Sequence, residues 1–103
     1  MYAVVRTYSG AGAEEVFDLI VRLQDEVKGL FESIPGFVSY TAVHQGDGGT
    51  TVSVCRDKVG TDETVRRAAA FLKDKMTGPL DPPMITEGEA VLQFSAMAAV
   101  AAT

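Results

Sequence analysis

Two strand-like runs, Phe37–Gln45 and Thr50–Asp57, surround the stretch Gly46-Asp47-Gly48-Gly49. Asp-Gly between two runs rich in Val, Thr and Tyr is a hairpin signal, because both residues accept the backbone angles of a tight turn. With Asp47-Gly48 as the two-residue turn, His44 faces Thr51, Ala42 faces Ser53 and Tyr40 faces Cys55. Those six share one face of the sheet, and Ser39, Thr41 and Val43 share the other with Val52, Val54 and Arg56. A lone hairpin is marginal in water. What flanks it therefore decides the fold.

Both flanks have helical period. Between Ala13 and Ile34, Val16, Leu19, Ile20, Leu23, Val27, Leu30, Phe31 and Ile34 recur at steps of three and four, the apolar face of one helix that Pro35-Gly36 ends. After the hairpin, Gly60-Thr61 opens a second helix with Thr61 as its N-cap. Val65, Ala68, Ala69, Leu72 and Met76 form its buried stripe, and Gly78-Pro79 ends it. Tyr2–Tyr8 reads as a first strand, and about Met84–Phe94 as a last one, best around Glu89–Phe94.

The order β-α-β-β-α-β predicts an α+β protein: a ferredoxin-like sandwich, with two helices on one face of a four-stranded antiparallel sheet. Residues 1–94 form the single domain, and 95–103 an Ala-rich C-terminal tail. The helices leave one sheet face bare. Tyr2, Val4, Tyr40, Ala42 and Cys55 are expected on it, which makes that face too apolar for water; Arg6 and Tyr8 join them if the β1 alternation runs that way. A second copy of the chain is then the expected cover.

Charge and composition remove several function classes. The 103 residues hold 9 Lys and Arg against 14 Asp and Glu, for a net charge of −5. The span Glu14–Glu32 carries six acids and two bases, so most of that charge is one solvated helix face. Scattered, outnumbered bases do not suit a nucleic acid. The third strand also lacks the stacking aromatics of an RNA-binding sheet. One Cys makes no internal disulfide and builds no zinc or iron–sulfur site alone. No metal or other cofactor is expected. The N-terminal Met-Tyr-Ala-Val-Val-Arg has no basic region before an apolar stretch, and no run approaches the ~20 apolar residues of a membrane span. The expectation is a cytoplasmic protein that meets neither membrane nor nucleic acid.

Few side chains offer chemistry. Gly10-Ala11-Gly12 lies between strand and helix, where phosphate-binding turns occur, but Glu14 and Glu15 would repel an anion there. The plain reading is a turn that needs glycine backbone angles. His44 and Cys55 lie four residues out of register, about 13 Å apart, too far for a nucleophile dyad. His44 alone remains the candidate acid or base, and its plain reading is a partly solvated His at a strand end near the turn. Arg6, between Val4 and Tyr8 in the alternation, needs a carboxylate, a phosphate or an aromatic face. Glu87 or Glu89 is its expected structural partner, and an anionic ligand the functional alternative.

The strand and helix order, the helix-ending Pro35-Gly36-Phe37, the strand Phe37-Val38-Ser39-Tyr40 and the Gly-rich hairpin resemble the dimeric α/β-barrel superfamily, in its antibiotic-biosynthesis-monooxygenase-like branch. The resemblance spans about Tyr2 to Phe94. It implies a homodimer paired through the sheet faces and a cavity between sheet and helices or near the dimer seam. It also implies activities such as cofactor-free oxidation of aromatic substrates, haem degradation or isomerisation. The haem-degrading members use Asn, Trp and His together, and this chain has no Asn and no Trp. A strand that often carries Trp reads Val52-Ser53-Val54-Cys55-Arg56-Asp57 here. A ligand site of this kind would use Tyr8, Tyr40, His44 and Phe71 as lining and Arg6 as anchor. Whether the chain is an enzyme stays open. The first reading is a monooxygenase-like or isomerase-like protein that takes a small aromatic or anionic molecule without a cofactor. The alternatives are a non-catalytic dimerisation module and a ligand sensor.

Overall fold

A computed structural model describes residues 1–96. The strands are β1 (Tyr2–Tyr8), β2 (Phe37–Gln45), β3 (Gly48–Cys55) and β4 (Met84–Glu89); the helices are α1 (Ala13–Arg22), α2 (Gln24–Glu32) and α3 (Lys58–Lys75). The strands form one antiparallel sheet in the order β2-β3-β1-β4, with the helices packed on one side of it. This is the ferredoxin-like α+β fold.

Three boundaries differ from expectation, each for a local reason. The first helix is broken at Leu23, whose φ and ψ are −111° and 33°. No Pro or Gly stands there. Instead the Gln24 side chain donates to the Val21 carbonyl at 3.2 Å, taking over an acceptor of the helix ladder. The last helix starts three residues before the expected Thr61 N-cap. Asp57 caps it, accepting from the Gly60 N–H at 3.0 Å. The last strand is centred on Met84–Glu89 rather than on Glu89–Phe94, because that stretch pairs with β1. Of the expected tail, residues 97–103 lie outside the described residues.

The hairpin register is shifted by two residues. Gln45 closes the turn with Gly48, and the turn residues are Gly46 and Asp47. Gly46 has φ +59°, and among the described residues no other residue type has positive φ, so the turn is of the kind that takes Gly first rather than Asp-Gly. His44 therefore opposes Gly49, Ala42 opposes Thr51 and Tyr40 opposes Ser53. A two-residue slip preserves parity, so the residues sharing each face are those expected.

Which face meets the helices is the opposite of the expectation. Val4, Arg6 and Tyr8 are buried under the helices, with Thr51, Ser53 and Cys55 from β3 beside them. Tyr40 and Ala42 share this side. The bare face carries Ala3, Val5 and Thr7, Val52 and Val54, Thr41 and Val43, and Met84 and Thr86. Arg6 misled the assignment. A charged residue reads as outward-facing, but here the protein supplies buried acceptors for it.

Under the sheet the core gathers Val16, Phe17, Leu19, Val27, Phe31, Ile34, Ala68, Phe71 and Leu72. Arg67 ties α3 to α2, donating to the Leu30 carbonyl at 2.8 Å and to Ser33 Oγ at 2.6 Å, while Glu63 takes its Nε at 2.9 Å. Cys55 is free and fully buried; burial and the neighbouring Asp57 push its thiol pKa up, which makes it an inert filler. It opposes Phe37 rather than Tyr40.

Two substitutions test this account by chemical denaturation. Asp57→Ala removes the cap of α3 and should cost about 1 kcal/mol. Ser53→Ala should be neutral or slightly stabilising, since the buried Ser53 hydroxyl has no hydrogen-bond partner among the described residues.

Candidate functional site

The seam between sheet and helices centres on Arg6. Its residue is 2% exposed. Nε donates to Thr51 Oγ1 at 3.2 Å, within the sheet, and Nη1 donates to the Thr64 carbonyl of α3 at 3.3 Å. Both acceptors are neutral. Among the described residues no carboxylate forms an ion pair with Arg6; Glu87, one of its expected partners, pairs instead with Lys58 at 3.0 Å. A buried charge is ordinarily paired, so an unpaired guanidinium in a seam makes the seam electropositive.

Aromatic side chains surround that charge. Tyr8, Phe31, Tyr40 and Phe71 line a small void of about 20 Å³ together with Arg6 and Thr51. Phe31 and Tyr40 tilt against each other with ring centroids 4.7 Å apart, and Tyr8 meets Phe17 edge-on at 6.1 Å. Burial pushes the phenol pKa of both Tyr8 and Tyr40 up, and the Arg6 charge partly offsets this in each. Both are therefore neutral hydrogen-bonding hydroxyls near neutral pH.

Two larger clefts open from this centre. One, of about 380 Å³, lies between α3 and the β1–β4 edge, with Arg6, Tyr8 and Leu72 inside and Lys73, Pro83 and Ile85 at its edges. The other, of about 390 Å³, lies between α2 and β2, lined by Phe31, Phe37, Tyr40 and Ala42 with Lys28 and Glu32. Four of the five residues chosen from sequence, Arg6, Tyr8, Tyr40 and Phe71, meet around the central void. His44 does not join them. It lies on exposed β2 near the turn, stacked on Phe17 with centroids 5.4 Å apart. Gly49 permits that stack, since a Cβ there would sit 2.7 Å from Phe17 Cζ. Cys55 is six residues along β3 from His44's partner Gly49, about 20 Å, so no dyad forms. Sequence reasoning missed Thr51, Thr64 and Phe31. A threonine paired with Arg6 on the neighbouring strand is the signal that points to Thr51, whereas Thr64 accepts through its backbone carbonyl, which no residue type announces.

The rim of the α3–β4 cleft is strapped to the chain's first turn. Ala11 N–H donates to Asp81 Oδ2 at 3.1 Å, and Asp81 N–H to the Ala11 carbonyl at 2.9 Å. Glu15 accepts from Thr77 N–H at 3.0 Å and from Thr77 Oγ1 at 2.8 Å. Gly12, at φ +82°, lets the two loops touch: a Cβ there would strike the Pro79 carbonyl and lie 3.0 Å from Leu80 Cα. The Gly10-Ala11-Gly12 turn thus serves loop packing. Among the described residues no group of three or more His, Cys, Asp or Glu is placed to hold a metal, and no helix is long and apolar enough to cross a membrane.

No protein-family model and no curated protein matches the chain. Solved structures do match. A protein of unknown function from Nitrosomonas europaea, NE2512, superposes with TM-score 0.67 at 18% identity, over 94% of each chain. SnoaB, a cofactor-independent oxygenase from Streptomyces nogalater, gives 0.62 at 16% identity, over 92% of this chain and 97% of that one. The chain shares the ferredoxin-like α+β fold of these proteins. The ActVA-Orf6 monooxygenase of Streptomyces coelicolor, solved with nanaomycin D, gives 0.60 at 18% identity, over 91% and 92% of the two chains.

Two measurements follow. Arg6→Met should leave stability within about 1 kcal/mol of wild type or raise it, whereas breaking a buried ion pair would cost about 3–5 kcal/mol. Denaturant midpoints decide between them. The Thr77 hydrogen bonds hold the Glu15 carboxyl below its ordinary value of 4.5. Glu15 therefore stabilises the fold fully above that value, and its contribution is lost as pH falls through the lowered one. Melting curves between neutral and acid pH should show a weaker acid dependence in Glu15→Gln.

Proposed function

We propose that this chain, with residues 1–94 acting as one unit, binds a small aromatic or anionic molecule in the seam between sheet and helices. We further propose that it works as a homodimer paired through the bare sheet face. The observation that carries the first part is the 2%-exposed Arg6 with no carboxylate partner among the described residues, set among Tyr8, Phe31, Tyr40 and Phe71. Clefts of 380 and 390 Å³ are of the size that holds a small molecule. The fold shared with a cofactor-independent oxygenase supports a monooxygenase-like reaction in which the seam orients an aromatic substrate toward O2. In such a reaction an activated CH2 becomes C=O, and the second oxygen atom leaves as water with the two hydrogens.

Pairing rests on the composition of the bare face. Val5 and Val52 lie part-exposed at its centre beside the already buried Val54, and Val43 and Met84 are 53% and 74% exposed near its margins. Apolar sheet faces of this extent are covered in soluble proteins. The alternative of a pairing module without a ligand keeps the dimer and drops the seam.

Light scattering at micromolar concentration should return twice the mass of one chain, and Val52→Lys should return a single one. A wild-type monomer removes the pairing proposal. Neutral 2-naphthol should raise the melting temperature of the wild type and not of Ala68→Trp, which fills the seam. Oxygen uptake with a tricyclic phenol bearing a benzylic CH2 tests the reaction. Binding without uptake reduces the function to ligand capture.

A further inference from the structure

The two clefts differ in charge. In a chain with a net charge of −5, the α3–β4 cleft is lined by two cations, Arg6 and Lys73, and by no carboxylate. The α2–β2 cleft balances Lys28 with Glu32. The Arg6 residue lines the first cleft and the central void but not the second. On the far side of the void, Phe31 and Tyr40 stand between Arg6 and the α2–β2 opening. The rest of the α3–β4 cleft is apolar, with Val65, Leu72, Met76, Leu80 and Ile85. The cleft therefore has a fixed cation in its depth, apolar walls and a mobile-chain cation on its exposed rim.

We propose that the ligand is an aromatic carboxylate, or an equally apolar monoanion, that enters between α3 and β4 with its acid group leading toward Arg6. This rests on the reading of the seam as a small-molecule site and adds the ligand's charge, its orientation and its door. Thr51 and Thr64 fix the guanidinium through Nε and Nη1 with neutral acceptors, so the positive charge is positioned without being cancelled. A charge held in advance and partly desolvated favours an anion over a neutral molecule of the same shape. Lys73 at the rim attracts the same ligand class from solution and repels none of it. The apolar walls select against small hydrated anions, which gain nothing from them. Glu15 and Asp81 reach the loop that frames this door, but each carboxylate accepts from that strap, Glu15 from Thr77 and Asp81 from Ala11, and neither lines the cleft.

The test compares two probes of one shape, 2-naphthoate and 2-naphthamide, by calorimetry on the full chain near neutral pH. The naphthoate should bind at least about tenfold more tightly, in keeping with a charge-assisted hydrogen bond, and its affinity should fall with added salt. Arg6→Gln should abolish the preference while circular dichroism stays native. Two exposed alanines provide variants that leave the buried charge untouched. Ala69→Trp, in the α3–β4 cleft, should block binding, and Ala42→Trp, in the α2–β2 cleft, should not. Equal affinity for the two probes, or loss of binding on Ala42→Trp alone, overturns this inference and leaves the seam a small-molecule site. Failure of both probes and of 2-naphthol overturns the seam reading and this inference with it.

Discussion

Everything at the seam depends on how the chain buries one guanidinium. Arg6 sits in the middle of β1, opposite Thr51 of β3 and Ile85 of β4, at the centre of the sheet. Its Nε is held by a neighbouring strand and its Nη1 by a carbonyl of α3, so it fixes the depth at which that helix crosses the sheet. Arg67, on the same helix, shows the ordinary solution: its charge is met by Glu63, and its Nη1 donates to Leu30 and Ser33 at the end of α2. The contrast is chemical. Arg67 is a clamp whose charge is met by a carboxylate, whereas Arg6 is held by two neutral acceptors.

The architecture was legible because it rests on periodicity. The step from period two to period three and four, twice repeated around a glycine-rich hairpin, leaves little besides a βαββαβ sandwich. Face sharing was also legible: a two-residue slip in the hairpin moved each partner but kept every residue on its side. What periodicity does not encode is which side meets the helices. Both alternating sets of β1 are apolar enough, and the acceptors that receive Arg6 on the inner side, the Thr51 hydroxyl and the Thr64 backbone carbonyl, are distant in sequence. The break at Leu23 was invisible for a similar reason, since it turns on one amide of Gln24 reaching one carbonyl. His44 lies where its plain reading put it, beside the turn, and its stacking on Phe17 could not be read from residue type.

The loop that frames the α3–β4 cleft shows how little structure is needed to hold an opening in place. Two carboxylates, Glu15 and Asp81, and a glycine without a side chain bind residues 77–81 to the start of α1. Each bond is worth little on an exposed surface. Together they anchor both ends of a segment that helical periodicity cannot reach, because Gly78 and Pro79 stop α3 and Pro82 and Pro83 delay β4.

The two faces of the sheet then divide the work by alternation alone. Along β1 the residues Val4, Arg6 and Tyr8 point into the seam, and Ala3, Val5 and Thr7 point away from it. A partner laid on the outer face would touch Val5 and Val52 without covering Lys73, Ala69 or Ile85, which belong to the helix side. Under the proposed reading, pairing and ligand capture would not compete for surface, because the outer set lines none of the cleft. The same alternation explains why a shared fold says little about chemistry. The side chains that build the sheet's ladder are indifferent to which of them points inward, and in this chain the inward set carries an arginine whose charge no carboxylate of the described protein takes up.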